Sequence, residues 1–260
     1  MLTTNYSKQK NETKNFKPKN YEKNYITTFN YRTNNYVRSG EVSWDYPVKP
    51  GSEEWKNLET YQDKLSSYNI PGDILEDIST EKLVESCLKY PELRLIFTRN
   101  SLQQGYDYIR TIFNGFRELE SRQDAGHELL RIYSSYNPEN INNKYSTLER
   151  GRQILKITYI EILIAQYNIL KSFNTSESQE LLNQCRKKYK QKKNELASYS
   201  ILGLQSTALI IARSQQANLS ETISKFGEDK FNLFVNKTIL IEPTILDEII
   251  REDDKKSSHE

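Results

Sequence analysis

The stretch from Leu148 to Phe173 constrains the fold more than any other part of the chain. At helical pitch, its apolar side chains cover every side between Ile157 and Leu170. A helix that is apolar on all sides must be covered by protein or by lipid. Polar residues such as Glu161 interrupt the run, so it is too short to span a bilayer. The sequence therefore predicts a buried central helix over residues 148–173.

Other segments also carry the signals of helix starts. Ser52, Ser79 and Ser146 precede amphipathic stretches, where a hydroxyl accepts hydrogen bonds from free backbone amides. Asn100 with Gln103 has the form of a capping box. These patterns predict an all-α fold, either an irregular multi-helix bundle or a short α-solenoid around the central helix. We expect one domain over residues 41–251 and a frayed end over residues 252–260.

Residues 1–40 differ in composition from the rest of the chain. Residues 1–38 hold eight Lys or Arg and two Glu, so they carry +6, and the remainder carries −4. They have few aliphatic side chains to offset the entropy of ordering, which predicts a disordered tail. Aromatic rings among the lysines also suit single-stranded nucleic acid, because cations meet phosphate and rings stack on bases. A solvated tail without any ligand is the alternative, since no base-reading motif is present.

Cysteine and histidine usage limits the possible chemistry. Cys87 and Cys185 lie in apolar helical patterns, which indicates two small buried side chains and a reducing, cytoplasmic location. With no Cys-x-x-Cys and only two histidines, a metal site is disfavoured. No phosphate-binding loop or nucleophile elbow is present, so we expect no cofactor. No apolar segment follows the initial Met, and we expect neither a secretory signal nor a membrane partner.

Three stretches resemble a known family: DYPVKPGSEEW at residues 45–55, TRNSLQQGYDYI at residues 98–109 and FNGFREL at residues 113–119. They are similar to an uncharacterised family of all-helical bacterial proteins, over roughly residues 43–215. The resemblance implies the all-helical fold and a bacterial source. Since no activity is attached to that family, it implies no function, and no functional residue is carried over from it.

Glu161 is the candidate buried acid. Its helical neighbours include Ile157, Ile164 and Ala165, so its carboxylate is expected to be at least partly buried and to need a partner. Four arginines on earlier helices are the candidate partners: Arg94, Arg99, Arg110 and Arg117. One interpretation is an acid with a raised pKa in a cleft. The other is a structural ion pair that fixes helix register.

The same four arginines are also a candidate anion-binding group. If several converge, their guanidinium groups match the oxygens of a carboxylate or phosphate. However, Arg110 and Arg117 fall on the side of the helix opposite Ile109 and Phe116, as in an ordinary solvated face. Both interpretations stay open.

A dense basic run is the third candidate site. Its cations are Arg186, Lys187, Lys188, Lys190, Lys192 and Lys193. Cations near the end of a helix favour the negative end of its dipole and are typical of a solvated surface. Together with the tail, they would also form a phosphate-binding surface for nucleic acid.

Three functions follow from these features. The first is a non-catalytic helical domain that binds another protein or assembles with itself. The second is a nucleic-acid-associated protein that uses residues 1–38 and 186–193. The third is an enzyme with an anion site near Glu161 and the helices from Arg94 to Arg117. We favour the first, because no catalytic constellation is recognisable.

Overall fold

A computed structural model describes residues 42–140 and 145–258, and the predicted disordered tail lies outside them. The described residues form helices and connecting turns and contain no β-strand, which confirms the all-α prediction. Short 3₁₀ segments lie at Leu93–Thr98, Pro138–Asn140 and Gln216–Asn218. The α-helices are α1 (Glu53–Lys56), α2 (Tyr61–Ser66), α3 (Gly72–Asp77), α4 (Thr80–Leu88), α5 (Leu102–Ile112), α6 (Asn114–Ser121), α7 (Ala125–Ser135), α8 (Thr147–Ile164), α9 (Tyr167–Leu170), α10 (Thr175–Asn194), α11 (Leu196–Ser214), α12 (Ser220–Phe226), α13 (Glu228–Lys237) and α14 (Thr244–Ser257).

The core lies where three long helices meet. Helix α11 packs against α8, α10 and α14, and α7 also packs against α8. Buried aliphatic side chains fill the space between them, including Ile160, Leu181 and Ile210. No helix among the described residues is long and apolar enough to cross a membrane.

The predicted central helix is two helices rather than one. Helix α8 ends at Ile164, and α9 begins at Tyr167 after a break at Gln166. Arg213 of α11 is buried and donates a hydrogen bond of 2.7 Å to the carbonyl of Ala165, where α8 ends. This long-range contact satisfies a carbonyl that lies at the break. The predicted span of 148–173 is therefore wrong at its C-terminal end.

Burial of α8 also differs along its length. From Ile157 to Ala165 nearly every residue is buried, as the apolar pattern predicts. Before Ile157 the helix is largely uncovered, and Leu148 is 66% exposed. The pattern identifies apolar residues but does not show whether the same chain covers them.

Most predicted helix starts are confirmed within a residue. Ser52, Ser79 and Ser146 each accept a hydrogen bond from a backbone amide three residues later. The predicted box at Asn100 is displaced by one residue, because Ser101 is the actual cap. The hydroxyl of Ser101 accepts from the amide of Gln104 at 3.2 Å.

The predicted frayed end is wrong for residues 252–257, and residues 259–260 lie outside the described part of the chain. Helix α14 continues to Ser257 and buries Glu252 completely. The Glu252 carboxylate accepts hydrogen bonds from the backbone amides of Glu221 and Thr222, at 3.0 and 2.8 Å. It therefore caps α12, whose own first residues supply no side-chain cap.

Gly105 lies closer to a neighbouring segment than any other described glycine does. A Cβ atom added there would lie 1.8 Å from the carbonyl oxygen of Ile96, whereas one added at Gly151 would meet nothing within 4 Å. We expect Gly105→Ala to destabilise the fold by roughly 1–3 kcal/mol, as overpacking does. Gly151→Ala should stabilise it by about 0.5–1 kcal/mol, because alanine favours helix more than glycine. Urea unfolding of both variants measures the two effects, and equal effects would contradict the close approach.

Candidate functional site

The Glu161 carboxylate lies at the centre of a closed polar cluster. It is 0% exposed, and both of its oxygens are hydrogen-bonded. Oε2 accepts from Lys192 Nζ at 2.5 Å and from Ser206 Oγ at 2.5 Å. Oε1 accepts from Thr207 Oγ1 at 2.8 Å and from Tyr133 OH at 2.9 Å. Four donors from three other helices therefore converge on one acid.

The Lys192 ammonium has an equally complete set of partners. Its Nζ donates to Glu161, to the carbonyl of Gly203 at 3.0 Å and to Thr207 Oγ1 at 3.0 Å. An ammonium group has three protons to donate, so all are used. Burial lowers the pKa of Lys192, and the adjacent Glu161 carboxylate opposes that change. The pair is therefore a charge-assisted hydrogen bond between two fully buried groups.

Tyr133 connects this cluster to α7. Its pKa is raised well above the ordinary value, first by burial and then by the neighbouring Cys185 and Glu161. The phenol thus stays protonated and donates to Glu161. Lys188 lies over the same ring, 4.9 Å from its centre, and donates to the backbone carbonyl of Tyr136 at 2.5 Å. The cluster therefore joins α7, α8, α10 and α11.

The Glu161 cluster is fully enclosed by the surrounding helices. Ser206, Lys192 and Glu161 are residue types that occur in nucleophilic catalysis. Here all three are 0% exposed, and Ser206 Oγ donates to the carboxylate instead of facing an open cavity. The geometry matches the structural interpretation, in which a buried ion pair fixes helix register.

The predicted partner of Glu161 is wrong. None of the four arginines contacts it; Lys192, from the basic run, does. Arg94 pairs with Glu92 at 3.2 Å, and Arg99 stacks on Tyr108 at 3.9 Å. The other two arginines are also engaged elsewhere: Arg110 pairs with Glu120 at 2.9 Å, and Arg117 donates to the carbonyl of Arg110 at 3.0 Å.

Arg110 lines a cavity beside α6 and α9. The cavity has a volume of about 250 Å³, and Tyr106, Glu120 and Tyr167 also line it. Both Glu120 carboxylate oxygens already accept from Arg110 Nε, and Glu120 is 7% exposed. An incoming anion would have to compete with that carboxylate. The four arginines therefore do not form the convergent anion site that the sequence suggests, and an anion site near Glu161 is not supported.

The basic run does not form one solvated face. Arg186, Lys188 and Lys192 are buried, and Arg186 pairs with Asp253 at 2.6 Å. Lys190 and Lys193 are exposed but pair with two acids of α14, Asp254 at 2.8 Å and Asp247 at 2.7 Å. Lys187 is exposed. The expected solvated face is wrong for the three buried cations, and nucleic-acid binding by the others stays a prediction.

The sequence did contain a signal for Lys192. Leu181, Cys185 and Lys192 stand at spacings of four and seven residues, which places them on one face of α10. Both apolar residues are buried, so a lysine in register with them is buried too. The charge density of the run conceals this register.

An exposed apolar stripe is the feature that sequence reasoning missed. Leu148, Arg152 and Leu155 lie on one face of α8, and all three are exposed; we call them the α8 stripe. Leu196 and Ile201 of α11 are also exposed, at 43% and 40%. Helices α8 and α11 run in parallel, since Glu161 contacts Ser206 and Ala165 contacts Arg213. Helix α11 is kinked at Ser200, so it is the part of α11 from Ile201 onward that begins at the same end of the fold as α8.

Among the described residues, no group of three His, Cys, Asp or Glu side chains is placed to hold a metal ion. Comparison with known proteins found no matching family model, curated protein or solved structure. The family resemblance of residues 43–215 therefore stays a prediction.

Removal of one partner of the buried pair should destabilise the fold strongly. Lys192→Met leaves the Glu161 carboxylate buried without its cation, and we expect a loss of about 3–5 kcal/mol. Lys193→Met is the matched control, because that lysine is exposed and its ion pair contributes less than about 1 kcal/mol. Urea unfolding measures both. Similar losses for the two variants would contradict the structural importance of the pair.

Lys188 should make stability depend on pH. Burial lowers the pKa of Lys188 to about 8, from 10.5. Above pH 8 the unfolded chain binds more protons at this residue than the folded chain, so stability rises with pH. From pH 7.5 to 9.5 we expect the wild type to gain about 1–2 kcal/mol relative to Lys188→Met. Lys187→Met, at an exposed neighbour, is the control, and its free energy of unfolding should change with pH as that of the wild type does. The same pH dependence in the wild type and both variants would contradict the lowered pKa of Lys188.

Proposed function

We propose that this protein is a non-catalytic helical domain that works by binding protein, either a second copy of itself or a different chain. The observation that carries the proposal is the α8 stripe. Leu148 and Leu155 are 66% and 40% exposed and lie two helical turns apart on the same face. Exposed apolar side chains that cluster in this way mark interaction surfaces more often than isolated ones do.

The neighbouring surface supports the same function. Ile201 of α11 adds exposed apolar area at the same end of the fold, and Tyr145, two residues before α8, is 46% exposed. Elsewhere the long helices α10 and α11 bury their apolar faces. The exposed apolar residues of α8 therefore lie in the part of the helix before Ile157, which the rest of the described chain does not cover.

Two alternatives receive less support. An enzyme that uses Glu161 would need access to a group that is 0% exposed. A nucleic-acid surface over residues 186–193 would need cations that face solvent, but Lys190 and Lys193 are already neutralised by α14. Counter-ion release depends on free cations, so these paired lysines contribute less to phosphate binding. We also propose a cytoplasmic location, which the two buried free thiols suit.

Site-specific photo-crosslinking tests the proposal. A photoreactive amino acid at Leu155 should yield adducts with protein in cells that express the full chain, because the α8 stripe would be in contact with a partner. The same amino acid at Lys187, which is exposed on α10, is the matched control. Adducts at both positions in equal yield, or none at position 155, would contradict the proposal.

A further inference from the structure

The α8 stripe has the spacing of a helix-pairing seam. Leu148, Arg152, Leu155 and Tyr159 follow one another at intervals of four, three and four residues, as in coiled coils. Tyr159 is partly covered, since its ring lies 5.4 Å from that of Phe97. The seam is therefore open over the first turns of α8 and closed where the core begins.

We infer that the α8 stripe binds the α8 stripe of a second copy of this chain, with the two helices antiparallel about a twofold axis. The inference rests on the proposed function and names its partner. A twofold interface must be self-complementary, because the same surface supplies both sides. The α8 stripe meets this condition together with three residues beside it, which are Glu149, Gly151 and Lys156.

The apolar and small residues match in the antiparallel arrangement. When Leu148 faces Leu155 of the second copy, Leu155 faces the second Leu148, and Arg152 faces Gly151. A side chain at Gly151 would meet nothing within 4 Å, so the space above it is open. The aliphatic stem of the opposing Arg152 can lie across that space. No pair of bulky side chains meets at the centre.

The charged residues select the antiparallel orientation. Glu149 and Lys156 lie on one side of the seam, seven residues apart. Glu149 contacts only its own helix, at Arg152 and Gln153. Lys156 forms no ion pair with any described residue, and its Nζ lies 5.5 Å from the centre of the Tyr136 ring. Antiparallel pairing places each Glu149 beside the other Lys156. In parallel pairing, Glu149 and Lys156 of one copy would lie on the opposite side of the seam from those of the other copy, so neither ion pair would form.

The exposed area indicates a weak dimer. The open seam is only about two turns long, from Leu148 to Leu155. Stable interfaces bury about 800 Å² per partner, and smaller ones are transient. We expect a dissociation constant of roughly 10–100 μM for the full chain, in keeping with a transient interface.

A charge exchange tests this arrangement by sedimentation equilibrium of the full chain. Glu149→Lys and Lys156→Glu, made singly, should each weaken the dimer about tenfold, because each places like charges opposite one another. The double variant restores both pairs and should return to within about threefold of the wild type. The exchange of Lys230 and Glu242, an exposed ion pair on α13 and its following turn, is the control and should leave the dimer unchanged.

A second variant separates dimer loss from misfolding. Gly151→Leu fills the space assigned to the opposing Arg152 and replaces glycine within a helix, so it should abolish the dimer while the Tm does not fall. A wild type that is monomeric up to about 500 μM, well above the affinity expected of a transient interface, would overturn the inference. So would a double charge variant as weak as the singles.

These results are distinguishable from failure of the proposed function. Adducts at position 155 with other proteins, in a chain that stays monomeric, would overturn the second copy as partner and leave protein binding in place. Absence of adducts at position 155 from a monomeric chain would overturn both.

Discussion

The contact between the Lys192 ammonium and the Glu161 carboxylate holds the rest of the structure in register. Each group is 0% exposed, and its hydrogen-bonding capacity is met by residues of α7, α8, α10 and α11. A shift of one helix along another would leave a charge in the core without water or a partner, which is strongly unfavourable. The apolar contacts around the pair tolerate small shifts far better, since dispersion has no preferred direction. The pair therefore supplies the specificity of a core whose stability comes from its aliphatic residues.

The burial of Glu161 was predictable, whereas its partner was not. Apolar neighbours on every side of α8 between Ile157 and Ala165 require the acid to be enclosed. Lys192 lies 31 residues further on, inside a run of cations that looks like a solvated surface. Its register with Leu181 and Cys185 was a better guide than the charge around it. Composition describes a segment as a whole, but burial is decided residue by residue around the helix.

Other errors share one physical origin. At the break after Ile164, the carbonyl of Ala165 accepts a hydrogen bond from Arg213, which lies 48 residues away in the chain. Local patterns predict that a helix exists and where its hydroxyl caps lie, as Ser52, Ser79 and Ser146 show. They do not predict which distant side chain ends it, or whether Leu148 is covered by its own chain.

The capping of α12 by Glu252 has a practical consequence for the end of the polypeptide. A chain shortened after Arg251 would lose Glu252. Among the described residues, its carboxylate is the one that accepts hydrogen bonds from the amides of Glu221 and Thr222. The buried amide of Thr222 would then lack an acceptor, and we expect the first turn of α12 to be destabilised. An affinity tag should therefore be attached after Ser258 through a spacer. Proteolysis near Arg251 would remove part of α14 and destabilise the fold.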